Sequence, residues 1–73
     1  MAQVKIRSEI LATVWKVEAA LGAKVAEGET IILLESMKME IPVLAPVAGT
    51  VVQLLVQDAD SVAEGQVLAL IEH

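Results

Sequence analysis

The 73-residue chain has no cysteine, phenylalanine or tyrosine, one tryptophan and one histidine. Without cysteine, disulfides and thiolate metal sites are excluded and a reducing compartment is allowed. The histidine is the last residue, His73. A histidine metal site or a nucleophile and base pair therefore has almost nothing to build on, and an enzyme is not expected. Trp15 alone is a poor platform for base stacking. Five Lys and Arg stand against ten Asp and Glu, for a net charge of -5, which leaves no basic face for phosphates, so nucleic acid is not an expected partner. The apolar fraction is 56%, yet charged residues break every apolar run well short of the ~18 residues that a membrane span needs. The opening "MAQVKIRSEI" lacks the basic and then apolar segments of a secretory signal, and the expected location is the cytoplasm, away from membrane.

What is present is a strand pattern. Val4 and Ile6 alternate with Gln3, Lys5 and Arg7; "TVWKVE" alternates again; "TIILLE", "TVVQLLV" and "QVLALIE" are short branched apolar runs bounded by turn residues. The segment "LLVQDADSVAEG" reads as a turn between strands, not a helix, because of Val62 and Gly65. A chain this short makes one domain, 1–73, and with no staple its stability must come from packing.

Laid on itself so that Glu35 meets Glu72, the sequence repeats. "VWKVEAALGAKVAEGETIILLE" matches "VVQLLVQDADSVAEGQVLALIE" without a gap, with Val14, Val25, Ala26, Glu27 and Gly28 on Val51, Val62, Ala63, Glu64 and Gly65. The shared "VAEG" gives each half a turn whose glycine supplies a positive φ. The repeats are approximately 1–36 and 39–73. Each copy is too small to bury a face alone, so the two copies of a small meander should pack together as two antiparallel sheets related by a pseudo-twofold axis. Such an axis carries the junction between the copies onto the chain termini. Lys38, at the junction, is therefore expected on a tight turn at one end of the domain, with Met1 and His73 toward the other.

Around that lysine the chain reads "ESMKMEI". As an ordinary strand, it would put Ser36, Lys38 and Glu40 on one face and Met37, Met39 and Ile41 on the other, a solvated lysine beside methionine filler. At a hairpin tip the methionines cannot pack deeply, and partly exposed methionine suits adaptable recognition. Trp15 is expected to pack; Gly28, Gly65, Gly49 and Pro46 are expected to be structural, and Asp58 and Asp60 to be turn residues rather than ligands.

Glu35-Ser36-Met37-Lys38-Met39 resembles the Glu-Ala-Met-Lys-Met motif of the biotinyl domains of biotin carboxyl carrier proteins, within the biotinyl/lipoyl-attachment group. "EIPVLAPVAGTV" resembles the Pro and Gly turn that follows, with Pro46 and Gly49 in matching places. The resemblance spans nearly the whole chain and includes the duplication. It implies an all-β flattened barrel or sandwich of two antiparallel sheets. Ser36 replaces the usual alanine, and "SEILATV" stands where the family tends to have a Pro-Met-Pro-Gly type of turn, so that Ala12 holds the place of Gly49 and the first turn is expected to be altered. There is neither a protruding thumb nor an Ala/Pro-rich linker.

The resemblance implies covalent biotin on Lys38, attached by a biotin-protein ligase through biotinyl-AMP. Lysine amines are almost wholly protonated at pH 7, so the ligase must assist deprotonation. On its long flexible arm, biotin would be carboxylated in a biotin carboxylase and deliver the group in a carboxyltransferase; the carrier itself, non-catalytic, supplies effective concentration. The choice of acceptor, whether an acyl-CoA, pyruvate or urea, lies in the carboxyltransferase. Met37 and Met39 are expected to help the ligase select this lysine and to favour biotin over lipoic acid, and Glu35 and Glu40 to steer a basic partner surface. The chain's own initial methionine suggests a free-standing subunit or small attachment protein. A lipoyl or dual biotin and lipoyl carrier, and an unmodified interaction domain, are the other readings.

Overall fold

The computed structural model describes residues 2–73 and contains eight strands among them: β1 (Gln3–Arg7), β2 (Ala12–Val17), β3 (Lys24–Val25), β4 (Thr30–Ser36), β5 (Met39–Leu44), β6 (Gly49–Leu54), β7 (Ser61–Val62) and β8 (Val67–Glu72). They form two four-stranded antiparallel sheets, in the orders β1-β8-β6-β3 and β5-β4-β2-β7. Adding the repeat offset to the first order gives the second, strand for strand. The registers agree residue by residue: Gln3 opposite Glu72 corresponds to Glu40 opposite Glu35, and Thr50 opposite Glu72 corresponds to Thr13 opposite Glu35. Even the irregularities repeat, between Val14 and Lys16 in one sheet and between Val51 and Gln53 in the other. The expected all-β pair of antiparallel sheets with pseudo-twofold symmetry is the fold.

The halves do not, however, fold as separate meanders. Each sheet takes two strands from each half, because the chain crosses between layers after β1, β2, β3, β5, β6 and β7 and forms a hairpin with its next strand only at β4–β5. Exchanging strands lets each copy bury its apolar face on the other, which neither could do alone. The core lies between the layers. Val14, Ile31, Ile32, Leu34, Val51, Val62, Leu68 and Ile71 are all at most 1% exposed, each worth roughly 1.5–3 kcal/mol on burial. Branched side chains at alternate strand positions produce this, with Ile31 and Ile32 both inside where the bulged strand shifts register.

The "VAEG" turns behave as their glycines require. Gly28 has φ 85° and Gly65 φ 83°. Each turn closes with a backbone hydrogen bond of 3.1 Å, Glu29 N–H to Ala26 O and Gln66 N–H to Ala63 O. The Glu29 and Gln66 side chains accept a second bond, 3.0 Å, from the N–H of Ala26 and Ala63. Asp58 and Asp60 are turn residues too: Asp58 Oδ1 accepts the Val17 N–H at 2.9 Å and Asp60 Oδ2 the Gln57 N–H at 3.0 Å.

Trp15 departs from expectation. It is 51% exposed. Val14 occupies the inward slot and the register slips between Val14 and Lys16, so Trp15 is the extra residue of a bulge, facing water with Lys16. The first crossing between layers runs from Ser8 to Leu11. Buried Ser8 donates its hydroxyl to Ile10 O at 2.6 Å, bracing a segment that in the second copy runs Ala45, Pro46, Val47, Ala48.

Candidate functional site

β4 and β5 are joined by the shortest possible hairpin. Ser36 pairs with Met39, leaving Met37 and Lys38 as the two loop residues. Both are left-handed, Met37 with φ 53° and Lys38 with φ 66°, the signature of a type I′ turn. That turn normally calls for Asn-Gly, since a side chain in this region meets its own backbone. Neither Met nor Lys relieves the strain, so the surrounding hairpin imposes it: β4 is a central strand held by β2 on its other side, and Ser36 pairs with Met39 to leave only two loop residues.

The consequence is a primary amine projected from the tip. Lys38 is exposed, Met37 is 92% exposed and Met39 64%. The other lysines, Lys5, Lys16 and Lys24, lie within strands. Glu35 and Glu40 sit directly opposite each other one step below the tip and both are exposed. Like charges in a cross-strand pair are mildly destabilising, and the symmetry-related pair is Gln3 with Glu72, so the fold itself does not need two carboxylates here. All five residues singled out in the sequence thus belong to one hairpin end. Methionines at the tip do not fill core, which the tight turn explains.

At the opposite pole of the pseudo-twofold, Ala2 and His73 exchange backbone hydrogen bonds of 3.1 and 2.9 Å, Ala2 N–H to His73 O and His73 N–H to Ala2 O. They take the places of Met39 and Ser36. Met1 lies outside the described residues.

A groove of about 810 Å³ opens between the edge strands β1 and β5, lined by Ile6, Ile10, Leu34, Ile41, Val43 and Pro46 among others. None of the five hairpin residues lines it. A group carried on an amide needs no such cavity; it needs an amine that stands clear of the body, and Lys38 fits that requirement.

The sequence matches the family model described as "Biotin-requiring enzyme" over residues 4–71. The chain belongs to this biotin/lipoyl family. It is 46% identical over 66 residues to the biotinylated protein TB7.3 homolog of Mycobacterium leprae, a match covering 90% of this chain and 93% of that one. It is 38% identical over 60 residues to the biotin/lipoyl attachment protein of Bacillus subtilis, covering 82% of each. Among solved structures, the urea carboxylase of Kluyveromyces lactis superposes with a TM-score of 0.92 at 33% identity, over 99% of this chain but 6% of the carboxylase. This member of the biotin/lipoyl family is therefore homologous to a small segment of a large carboxylase, and is a domain of the biotin-carrying type found there.

Leu11 was not signalled by the strand pattern. Its side chain is 73% exposed, and its carbonyl oxygen lies 3.4 Å from Ser36 Oγ, beside the tip. The signal available in the sequence was the offset alignment, which sets Leu11 against Ala48.

Proposed function

We propose that the chain is a biotin carboxyl carrier in which Lys38 is the attachment residue, within one biotinyl domain spanning 1–73 whose halves, 1–36 and 39–73, meet at that lysine. The observation that carries the reading is the strained two-residue turn: a lysine and a methionine held at positive φ, on the tip of a hairpin, in a member of this family. Strained backbone conformations cluster at functional sites, and here the strain coincides with an exposed amine.

The attachment step is an acyl transfer. The Lys38 amine, deprotonated by a base of a biotin-protein ligase, attacks the carbonyl of biotinyl-AMP; the new C–N amide bond forms, the bond to the phosphate oxygen breaks and AMP leaves. Once bound, biotin supplies a ureido nitrogen that takes up and releases a carboxyl group. The domain catalyses neither half of that exchange. Its residues present the arm: β4 and β5 hold the tip rigid, and Glu35 and Glu40 give a partner with a basic surface a place to dock. Met37 and Met39 offer soft apolar contact that favours a biotin ligase over a lipoate ligase. The partners are the ligase, a biotin carboxylase and a carboxyltransferase, working in the cytoplasm.

The test is carboxyl uptake. The biotinylated domain is incubated with a biotin carboxylase, ATP and labelled bicarbonate, with free biotin as reference. Label retained on the domain, and absent from unmodified protein, supports the carrier. Label on free biotin and none on the domain contradicts it and favours a lipoyl carrier or an interaction domain.

A further inference from the structure

The pseudo-twofold provides an internal comparison between two ends built on the same backbone. At the Lys38 end Leu11, Met37 and Met39 are 73%, 92% and 64% exposed. At the opposite end the places of Leu11 and Met39 are held by Ala48 and Ala2; the place of Lys38 falls on Met1, outside the described residues, and that of Met37 lies one position past His73. The fold therefore accepts alanine at the places of Leu11 and Met39, so the backbone does not require the exposed apolar bulk that these two side chains bring beside the lysine. Continuing the β2–β4 register one step past Thr13 and Glu35 brings Ala12 beside Ser36, and the 3.4 Å approach of Ser36 Oγ to the Leu11 carbonyl puts Leu11 next to the tip. Met37 and Met39 are within the motif; Leu11 lies 27 residues before Lys38 in the chain and belongs to the surface only through the fold.

We propose that Leu11 is a specificity-determining residue for acylation of Lys38, forming with Met37 and Met39 an apolar rim that the acylating ligase covers. This rests on the reading of Lys38 as the attachment residue. The occupant follows from reach. A ligase must bring its acyl-adenylate to within bonding distance of the amine, so its surface closes over the hairpin tip and meets whatever surrounds it. An enzyme acting at the far end of the loaded arm stands off by the arm's length. Exposed leucine and methionine around one reactive amine, flanked by the Glu35 and Glu40 carboxylates, match a ligase face with an apolar centre and a basic rim.

The experiment measures kcat and KM of a purified biotin-protein ligase, with biotin and ATP, for the wild-type chain and for Leu11→Ser, Leu11→Met and Leu21→Ser. Leu21, 64% exposed in the turn beside Val51, controls for loss of an exposed leucine elsewhere. Leu11→Ser is expected to lower kcat/KM about tenfold, mainly through KM, the size of an apolar side chain buried in an interface. Its melting temperature should stay within about 4 °C of wild type. Leu11→Met is expected to restore wild-type kinetics, and Leu21→Ser to match wild type. Equal kcat/KM for Leu11→Ser and wild type overturns the proposal, as does an equal loss in Leu21→Ser or no recovery in Leu11→Met. Failure of the wild type itself to be acylated overturns the attachment reading and this inference with it.

Discussion

The hairpin tip makes a stability prediction that runs against function. Met37 and Lys38 hold φ 53° and 66°, and an L-residue in the left-handed region costs roughly 1–2 kcal/mol. Replacing the pair by Asn-Gly supplies the residues that a type I′ turn favours. Glycine loses more backbone freedom on folding than lysine does, which returns about 0.5–1 kcal/mol of the gain. The net expectation for the double variant Met37→Asn, Lys38→Gly is a stabilisation of about 1–2 kcal/mol. For a domain of this size each kcal/mol moves the melting temperature by about 4–8 °C, so the variant should melt roughly 5–15 °C higher in a circular-dichroism or calorimetric scan, and it should lose every trace of acylation. Neither Met37 nor Lys38 buries apolar surface worth losing, since Met37 is 92% exposed and Lys38 is exposed. A melting temperature equal to or below that of wild type would refute the claim that the turn is strained for the sake of its lysine.

Gly49 starts β6, and a Cβ there would land on the Glu72 carbonyl oxygen and 2.6 Å from Ile71 Cγ2. Gly49→Ala should therefore cost about 1–3 kcal/mol, read as a lower denaturation midpoint; an unchanged midpoint would mean that β6 can shift to the accommodation Ala12 already has in β2. Ser8→Ala removes the buried donor to the Ile10 carbonyl and should lose about 1 kcal/mol in urea denaturation. Its counterpart, Ala45, needs no such brace. Trp15→Ala should cost less than ~1 kcal/mol, as a half-exposed bulge residue; a loss of the ~3–5 kcal/mol typical of a core tryptophan would contradict its placement.

Much of the fold was legible because period-two alternation and the offset repeat constrain each other. Val14 and Val51, or Leu34 and Ile71, occupy matching core positions in matching strands, and the repeat alone pointed to two antiparallel sheets. Strand exchange between the layers was not legible. Alternation says which face of β1 is buried, Ile6 inward and Lys5 outward, but carries nothing about whether its neighbour is β2 or β8. The two-residue strands β3 and β7 are too short for any period, and they exist because β6 and β2 lend them partners. Trp15 was expected to pack, but with Val14 in the inward slot its neighbour faces out, and the slip between Val14 and Lys16 makes it the extra residue of a bulge.

The site divides in the same way. Its position came from symmetry: a junction between copies must map onto the termini, which forces a tight turn at Lys38. The positive φ values did not come from residue type, since Met37, Lys38 and also Ala59, with φ 76°, are residues for which local preference says otherwise. Tertiary structure overrides that preference at all three. Leu11 stayed hidden because its proximity to Ser36 arises from the pairing of β2 with β4, two strands separated by β3 and the turns on either side of it.

If Lys38 carries biotin, the intact mass of the protein reports it. The purified chain is incubated separately with a biotin ligase, biotin and ATP and with a lipoate ligase, lipoate and ATP, alongside Lys38→Ala. The expected result is one biotinyl increment on the wild type, mapped to the peptide containing Lys38 and lost in the variant, with no lipoyl increment. A lipoyl increment alone, no increment from either ligase, or a biotinyl increment that persists in Lys38→Ala would contradict it.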